Sequence, residues 1–338
     1  MSTGRNLSLD AARDLVVAAL VANRTSRDNA ASVADALVTG EADGIKSHGL
    51  SRVPSYAGQS RTGKIDGFAA PTVAASAPAV LAVDAALGFA FPAIDLALDA
   101  LAPLCRQQGV AVAAIRRSHH CGAAGWHVER LARDGIAALM FANTPQAIAP
   151  WGGRRGLFGT NPIAFAAPAS GREPLVVDLS VSKASRGNLL VAKQKGERIP
   201  EGWAFDRDGR PTTDPEAAIK GTMVPMGDAK GTALALMVEV LAAGLTGAHF
   251  AADAGSFFDA EGPAPETGHL IIALSPAALG GEQVGKHIAT LAAAVEGEPG
   301  ARLPGARRMH NRRQAAERGL DVPRALLDEI EALAQGAP

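Results

Sequence analysis

Within Asp43-Gly-Ile-Lys-Ser-His-Gly-Leu-Ser-Arg52, a serine, a histidine and an arginine fall close together as Ser47, His48 and Arg52. An imidazole titrates near neutrality, so His48 can give or take a proton at working pH. A guanidinium fork grips a carboxylate with two parallel hydrogen bonds. If the segment is helical, Arg52 lies four residues on and shares a face with His48. That pair could hold an acid while a proton is delivered beside it. Alone, the stretch suits a plain helix connection with a solvent-facing His and Arg better, and the rest of the chain must decide.

A second constellation sits at Arg116-Arg-Ser-His-His-Cys-Gly122, between an apolar strand, Val110–Ile115, and a helical pattern from Ala123 to Arg133. Free amides at a helix start, next to glycine and cationic side chains, make an anion site. A metal reading of His119, His120 and Cys121 is poorer, because adjacent residues seldom aim at one ion and no further ligand stands at zinc-site spacing. The glycine-rich run from Trp151 to Pro162 is a long loop of the kind that is often functional. Leu175–Val181 reads as a buried strand carrying Asp178 and running into Ser182, Lys183 and Arg186. Pro225-Met-Gly-Asp-Ala-Lys-Gly-Thr232 leads into a long apolar helix through Ala248. It does not fit G-x-x-x-x-G-K-[ST], and no G-x-G-x-x-G joins a strand to a helix, so spacing alone names no nucleotide.

The elements that would carry these loops are legible in outline. Ser8 and Ser26 are N-cap candidates for two amphipathic helices, with faces Ala12, Leu15, Val16, Ala19, Leu20 and Ala30, Val33, Ala34, Leu37, Val38. Together they deliver the Ser47–Arg52 stretch. Pro54 fits the start of a third helix ended by Gly63. Pro71–Val83 is proline-broken and β-branched, Phe91–Gln107 is helical, Ile136–Ala142 and His269–Leu274 are strands, and Pro323–Gln335 is an amphipathic helix. Arg302–Arg308 reads as a basic turn, and Phe257 and Phe258 centre a loop from Gly255 to Pro265.

The chain has 338 residues, room for about two domains at about 150 residues each, and is 47% hydrophobic. With 33 Lys+Arg against 34 Asp+Glu the net charge is −1, so no basic field argues for nucleic acid. The 2 cysteines, Cys105 and Cys121, are too few for a disulfide framework, and a reducing cytosol is expected. The run Thr232–Ala248 is interrupted by Glu239 and short for a bilayer, so no membrane partner is expected.

Several of these loops, in this order, resemble the malate/L-lactate dehydrogenase-like family, which is unrelated to the Rossmann-type lactate dehydrogenases. The matching segments are Ser47-His-Gly-Leu-Ser-Arg52, Ser118-His-His-Cys-Gly122, Gly159-Thr-Asn-Pro162, Asp178-Leu-Ser180, Gly227-Asp-Ala-Lys-Gly231 and Arg302-Leu-Pro-Gly305. The resemblance covers about residues 8 to 330. It implies an α/β fold that is not Rossmann: a mixed, largely antiparallel sheet binding the nicotinamide cofactor, plus an N-terminal helical segment. The implied division is 1–115 with 296–338 as a helical, substrate and dimer domain, and 116–295 as the cofactor domain.

By resemblance, His48 is the proton donor supported by Ser47, while Arg52 and Thr160 hold a substrate carboxylate. Cofactor contacts fall on His120, Cys121, Gly122, Ala123 and Ala124, on Asp178, Leu179 and Ser180, and on Ala229 and Lys230. They continue on Arg302, Leu303, Pro304, Gly305, Ala306, Arg307 and Arg308. The expected cofactor is NADPH, with NADH as the alternative, because Arg116, Arg117, Lys183, Arg186, Arg307 and Arg308 offer partners for a 2′-phosphate. A homodimer and a small carboxylate-bearing substrate are also implied. Thr232-Ala233, with Ser256-Phe-Phe-Asp259, looks most like the branch that reduces the cyclic ketimines Δ1-pyrroline-2-carboxylate and Δ1-piperideine-2-carboxylate. A 2-hydroxy acid substrate is the alternative. Two positions depart from the pattern: Asp228 where a second Gly is common, and Asn188 where that branch would have an Asp relaying to the catalytic His.

Overall fold

The computed structural model describes residues 4–336, save the side chain of Gln194. Ser8 and Ser26 each accept a backbone N–H three residues on, and so open the helices Leu9–Ala22 and Arg27–Ala42 as expected. Their inner faces are buried together with Tyr56 and Phe89, and with Leu320, Leu327 and Ile330 from the far end of the chain. The helices Ala306–Arg318 and Arg324–Ala334 therefore complete the N-terminal core, and Arg5–Leu7 pairs antiparallel with Leu320–Val322.

A seven-stranded sheet forms the rest of the frame. Its order is Thr72–Ala77, Val80–Asp84, Val110–Ser118, Thr267–Leu274, Ala137–Ala142, Ile163–Ala167 and Leu175–Leu179. Every pairing is antiparallel except Val80–Asp84 with Val110–Ser118. The fold is thus α/β with a mixed, largely antiparallel sheet. Glycine fingerprints serve a parallel strand–helix–strand unit, and the central strand Thr267–Leu274 runs against both its neighbours.

Side chains alternate across that strand with the two-residue period of a pleated backbone. Ile271 packs under the helices Ala90–Gln108 and Ala124–Arg133, whereas Leu270 faces Val238 and Ala242 on the opposite side. A smaller core around Ile148, Val181 and Leu189 supports the helices Arg186–Lys195 and Pro215–Lys220.

Four expectations shift. The expected boundary at 115/116 falls inside the continuous strand Val110–Ser118, which pairs with both of its neighbours on either side of that point. Pro71–Val83 contains a strand pair, Thr72–Ala77 with Val80–Asp84. The apolar run after Lys230 is the α-helix Ala229–Val238 followed by a π-helical segment, Glu239–Gly244. The basic turn ends at Gly305, and Ala306 to Arg308 already belong to a helix.

Candidate active site

The stretch after Ala42 is not one helix. Two 3₁₀ turns, Lys46–His48 and Leu50–Arg52, are broken at Gly49. A Cβ on Gly49 would stand 2.3 Å from Glu41 Oε2 and 2.9 Å from Glu41 Cα, so only glycine lets the chain pass this close. Buried Glu41 fastens the second turn by accepting the Leu50 N–H at 3.0 Å. Arg52 consequently leaves the expected i+4 place: its Nε donates to Ser47 O at 2.7 Å. Its guanidinium lies over the Phe258 ring, 5.0 Å from the centroid. Among the described residues no carboxylate pairs with it. A half-buried guanidinium without a counter-charge is a place for an anion.

Beside it, Ser47 Oγ and His48 Nδ1 are 2.9 Å apart. The His120 ring stands 5.1 Å from that of His48 and 5.0 Å from that of Phe257. Tyr56 Oη and His120 Nδ1 are 2.6 Å apart, and among the described residues this is the only hydrogen bond of the buried Tyr56 hydroxyl. We assign the hydroxyl as donor, which leaves Nε2 of His120 carrying its proton. Deeper still, His119 Nε2 meets Gln59 Oε1 at 2.8 Å.

His48 keeps some solvent exposure but is crowded by protein on its other sides. Burial, with the Arg52 charge second, pushes its pKa down to about 3. Burial likewise lowers His119 to about 3 and His120 well below its ordinary value. The expectation that His48 titrates near its ordinary value is therefore corrected. The imidazoles are neutral at neutral pH in the protein without substrate.

Asn188 is exposed on the helix Arg186–Lys195, and its backbone N–H bonds to the capping Ser185. Its neighbour Gly187 touches the site, since a Cβ there would lie 3.3 Å from Ser47 Cβ. No hydrogen bond joins the Asn188 side chain to His48 among the described residues, so the structure gives it no part in a relay. The Thr160 N–H donates to Thr144 Oγ1 at 2.9 Å, and the two threonine hydroxyls are 3.2 Å apart.

The segments expected to bind cofactor converge on the end of the strand Leu175–Leu179. The Gly125 N–H at the start of the helix Ala124–Arg133 donates to Asp178 Oδ2 at 2.8 Å. Gly305 lies against Val176, where a Cβ would be 3.2 Å from its carbonyl oxygen. Beyond Ser180, the chain bridges Ser182 to Pro225, and the Met226 N–H donates to Val181 O, which brings in the helix start at Ala229 and Lys230.

Four details are corrected. At the helix start read as an anion site, the Gly125 N–H is already taken by Asp178. Arg116 and Arg117 are both paired with Asp84. Arg308 is buried against Asp43 and Glu129, 3.5 and 3.3 Å away. Arg186 donates to the carbonyls of Gln146 and Ile219. Lys183, Lys230, Arg302 and Arg307 are the exposed cations left in these segments. Arg308 Nε and Nη2 make no well-directed hydrogen bond but are held by the Asp43 and Glu129 carboxylates, so the exposed cations are what this cradle offers a ligand such as a dinucleotide.

Sequence reading missed the supports. Tyr56 was seen only as a helix residue, although Tyr56 and Arg52 are an i, i+4 pair. Asp43, which grips Arg312 Nε and Nη2 at 2.7 and 2.8 Å, gave no local signal because its partner is far along the chain.

The chain matches the Malate/L-lactate dehydrogenase family over residues 7–331. It is 53% identical over 332 residues, 98% of each chain, to a (2R)-3-sulfolactate dehydrogenase (NADP(+)) of Chromohalobacter salexigens. It is 40% identical over 296 residues, 86% of each, to a Δ1-pyrroline-2-carboxylate/Δ1-piperideine-2-carboxylate reductase of Pseudomonas putida. The solved Δ1-piperideine-2-carboxylate reductase of Pseudomonas syringae pvar. tomato superposes with a TM-score of 0.93 at 37% identity, covering 97% of this chain and 99% of that one.

Proposed function

The chain belongs to the malate/L-lactate dehydrogenase family, and from that premise we propose that this oxidoreductase uses NADP(H) to interconvert a 2-hydroxy acid and its 2-oxo acid. The substrate we favour carries a second anionic group, as 3-sulfolactate does. The observation that carries the reading is the unpaired Arg52 guanidinium beside a neutral His48. Arg52 and Thr160 hold the carboxylate next to the reacting carbon. In oxidation, neutral His48 takes the hydroxyl proton as hydride leaves that carbon. The cofactor supplies the hydride acceptor, or the donor in reduction, and Ala124, Asp178, Ser180, Lys230 and Arg307 line its cradle. In reduction, the substrate carboxylate offsets the Arg52 charge, which raises the His48 pKa and helps load the imidazole.

Cyclic ketimine reduction is the second reading, favoured by the Ser256–Asp259 loop, whose Phe258 lies over Arg52. It ranks below because identity to the sulfolactate enzyme is higher and extends over more of the chain. Following NADPH absorbance with 3-sulfopyruvate, oxaloacetate, pyruvate and Δ1-pyrroline-2-carboxylate in parallel decides between them. The dianionic oxo acids should be turned over best; turnover of the pyrroline alone would install the second reading. We further propose a homodimer, and a cytosolic setting consistent with the unpaired, buried Cys105 and Cys121. Among the described residues no helix is long and apolar enough to cross a membrane.

A further inference from the structure

Glu239 opens the π-helical segment Glu239–Gly244 and is 3% exposed. Wide π turns inside helices frequently mark functional positions. Two loops donate to this carboxylate. Its Oε1 accepts from Asn161 Nδ2 at 2.8 Å and from Gly159 N at 3.2 Å. Its Oε2 accepts from Ala251 N at 3.1 Å and, more loosely, from Asn143 Nδ2 at 3.4 Å. Among the described residues no cation pairs with it, so the buried charge is held by neutral donors alone. Burial raises its pKa, and these same donors oppose the rise.

Thr160 stands between the two residues that reach Oε1. Gly159 admits no side chain, because a Cβ there would meet Thr144 O at 2.3 Å. On the other side, Ala251 leads into the loop whose Phe257 packs on His120 and whose Phe258 covers Arg52. One carboxylate thus spans a loop bearing a substrate contact and a loop bearing the aromatic wall.

We propose that Glu239 is a positioning residue that sets Thr160 against the substrate carboxylate and keeps that loop in register with the aromatic wall. The proposal rests on the reading that Thr160 contacts substrate. An amide cannot replace the carboxylate, because every neighbour is a donor. Glutamine accepts through one oxygen and turns an NH₂ toward donors on the other side, so one loop is released whichever way it flips.

A double-mutant cycle tests this, with Glu239→Gln, Thr160→Ala and the pair. It is run with NADP+ and 3-sulfolactate and with NADPH and Δ1-pyrroline-2-carboxylate, which share a carboxylate beside the reacting carbon; the couple that turns over is used. We expect Glu239→Gln to raise KM roughly tenfold while the Kd for NADPH holds, and to add less than about twofold once Thr160 is Ala, because contacts acting through one another are not additive. Effects that multiply independently would overturn the proposal while leaving Thr160 in the site. A Thr160→Ala variant with unchanged KM would remove Thr160 from the site, and the proposal with it. Should Glu239→Gln fail to fold, Glu239→Asp, one methylene too short to reach both loops, carries the same expectation and the same refutation.

Discussion

Arg52 is held at its base and free at its tip: Nε is anchored on Ser47 O, and among the described residues no carboxylate competes for the remaining donors. Such a fork binds a planar carboxylate with both nitrogens, whereas a lysine ammonium offers a point charge. Arg52→Lys should therefore raise substrate KM about tenfold or more, as expected for losing one charge-assisted hydrogen bond of about 1.5–3 kcal/mol. The Kd for NADPH should not move, and an unchanged KM would remove Arg52 as the clamp. His48 makes a prediction of opposite character. With a pKa of about 3 in the free protein, it is already neutral across the physiological range. The kcat/KM for oxidation, which reports free-enzyme ionisations, should then be flat from about pH 6 to 8 with no acid limb near 6.5. A limb centred at 6.5 would show that the ring is not desolvated as the structure has it.

At the scale of elements, capped helices and alternating strands were legible because their signals are local: Ser8, Ser26, Gly63 and the apolar faces all did what their spacing implies. What escaped depended on distant partners. Nothing near Gly49 announces that Glu41 lies 2.3 Å from its missing Cβ, yet that approach breaks the expected helix and swings Arg52 onto Ser47. The π segment is equally silent, since Glu239 reads as an interruption until Gly159, Asn161 and Ala251 come round to it.

Asn188 lies in the first turn of the helix Arg186–Lys195, away from any bond to His48. Asn188→Asp should therefore stabilise by about 0.3–1 kcal/mol through the helix dipole and leave the pH profile unmoved; a shifted profile would revive the relay. Asp228 occupies φ +57°, ψ −119°, a backbone region that favours glycine. Such strain costs on the order of 1–3 kcal/mol, so Asp228→Gly should raise the urea midpoint. A lowered midpoint would mean that its carboxylate stabilises the turn by more than the strain.

Across the whole molecule, four buried imidazoles and the partly exposed His48 share one fate. Burial lowers His48, His119 and His269 to about 3 and His127 to about 4, and it lowers His120 well below its ordinary value. Each binds its proton more readily unfolded than folded. Stability is therefore fully present above the unfolded value near 6.5 and is lost as pH falls from there toward about 3 or 4, by up to about 1.4 kcal/mol per pH unit for each group. Glu41, Asp43, Asp178 and Glu239, raised by burial, act the other way above their ordinary values but are fewer. The urea midpoint should fall clearly between pH 7.5 and 5.5, and an unchanged midpoint would mean that these rings are not held neutral.

The family and its loops could be recognised from six short motifs, and the structure gathers those loops at two neighbouring places. The sequence could not show which cations are already paired: Arg116, Arg117 and Arg308 looked available and are committed to Asp84, Asp43 and Glu129. The account stands or falls on His48 moving the proton of an acid held by Arg52. Its most direct test is kcat for His48→Ala, with NADPH affinity measured alongside. Turnover should fall roughly 10²–10⁴-fold, the usual worth of a general acid or base, with cofactor affinity intact. Near-normal turnover would contradict the assignment.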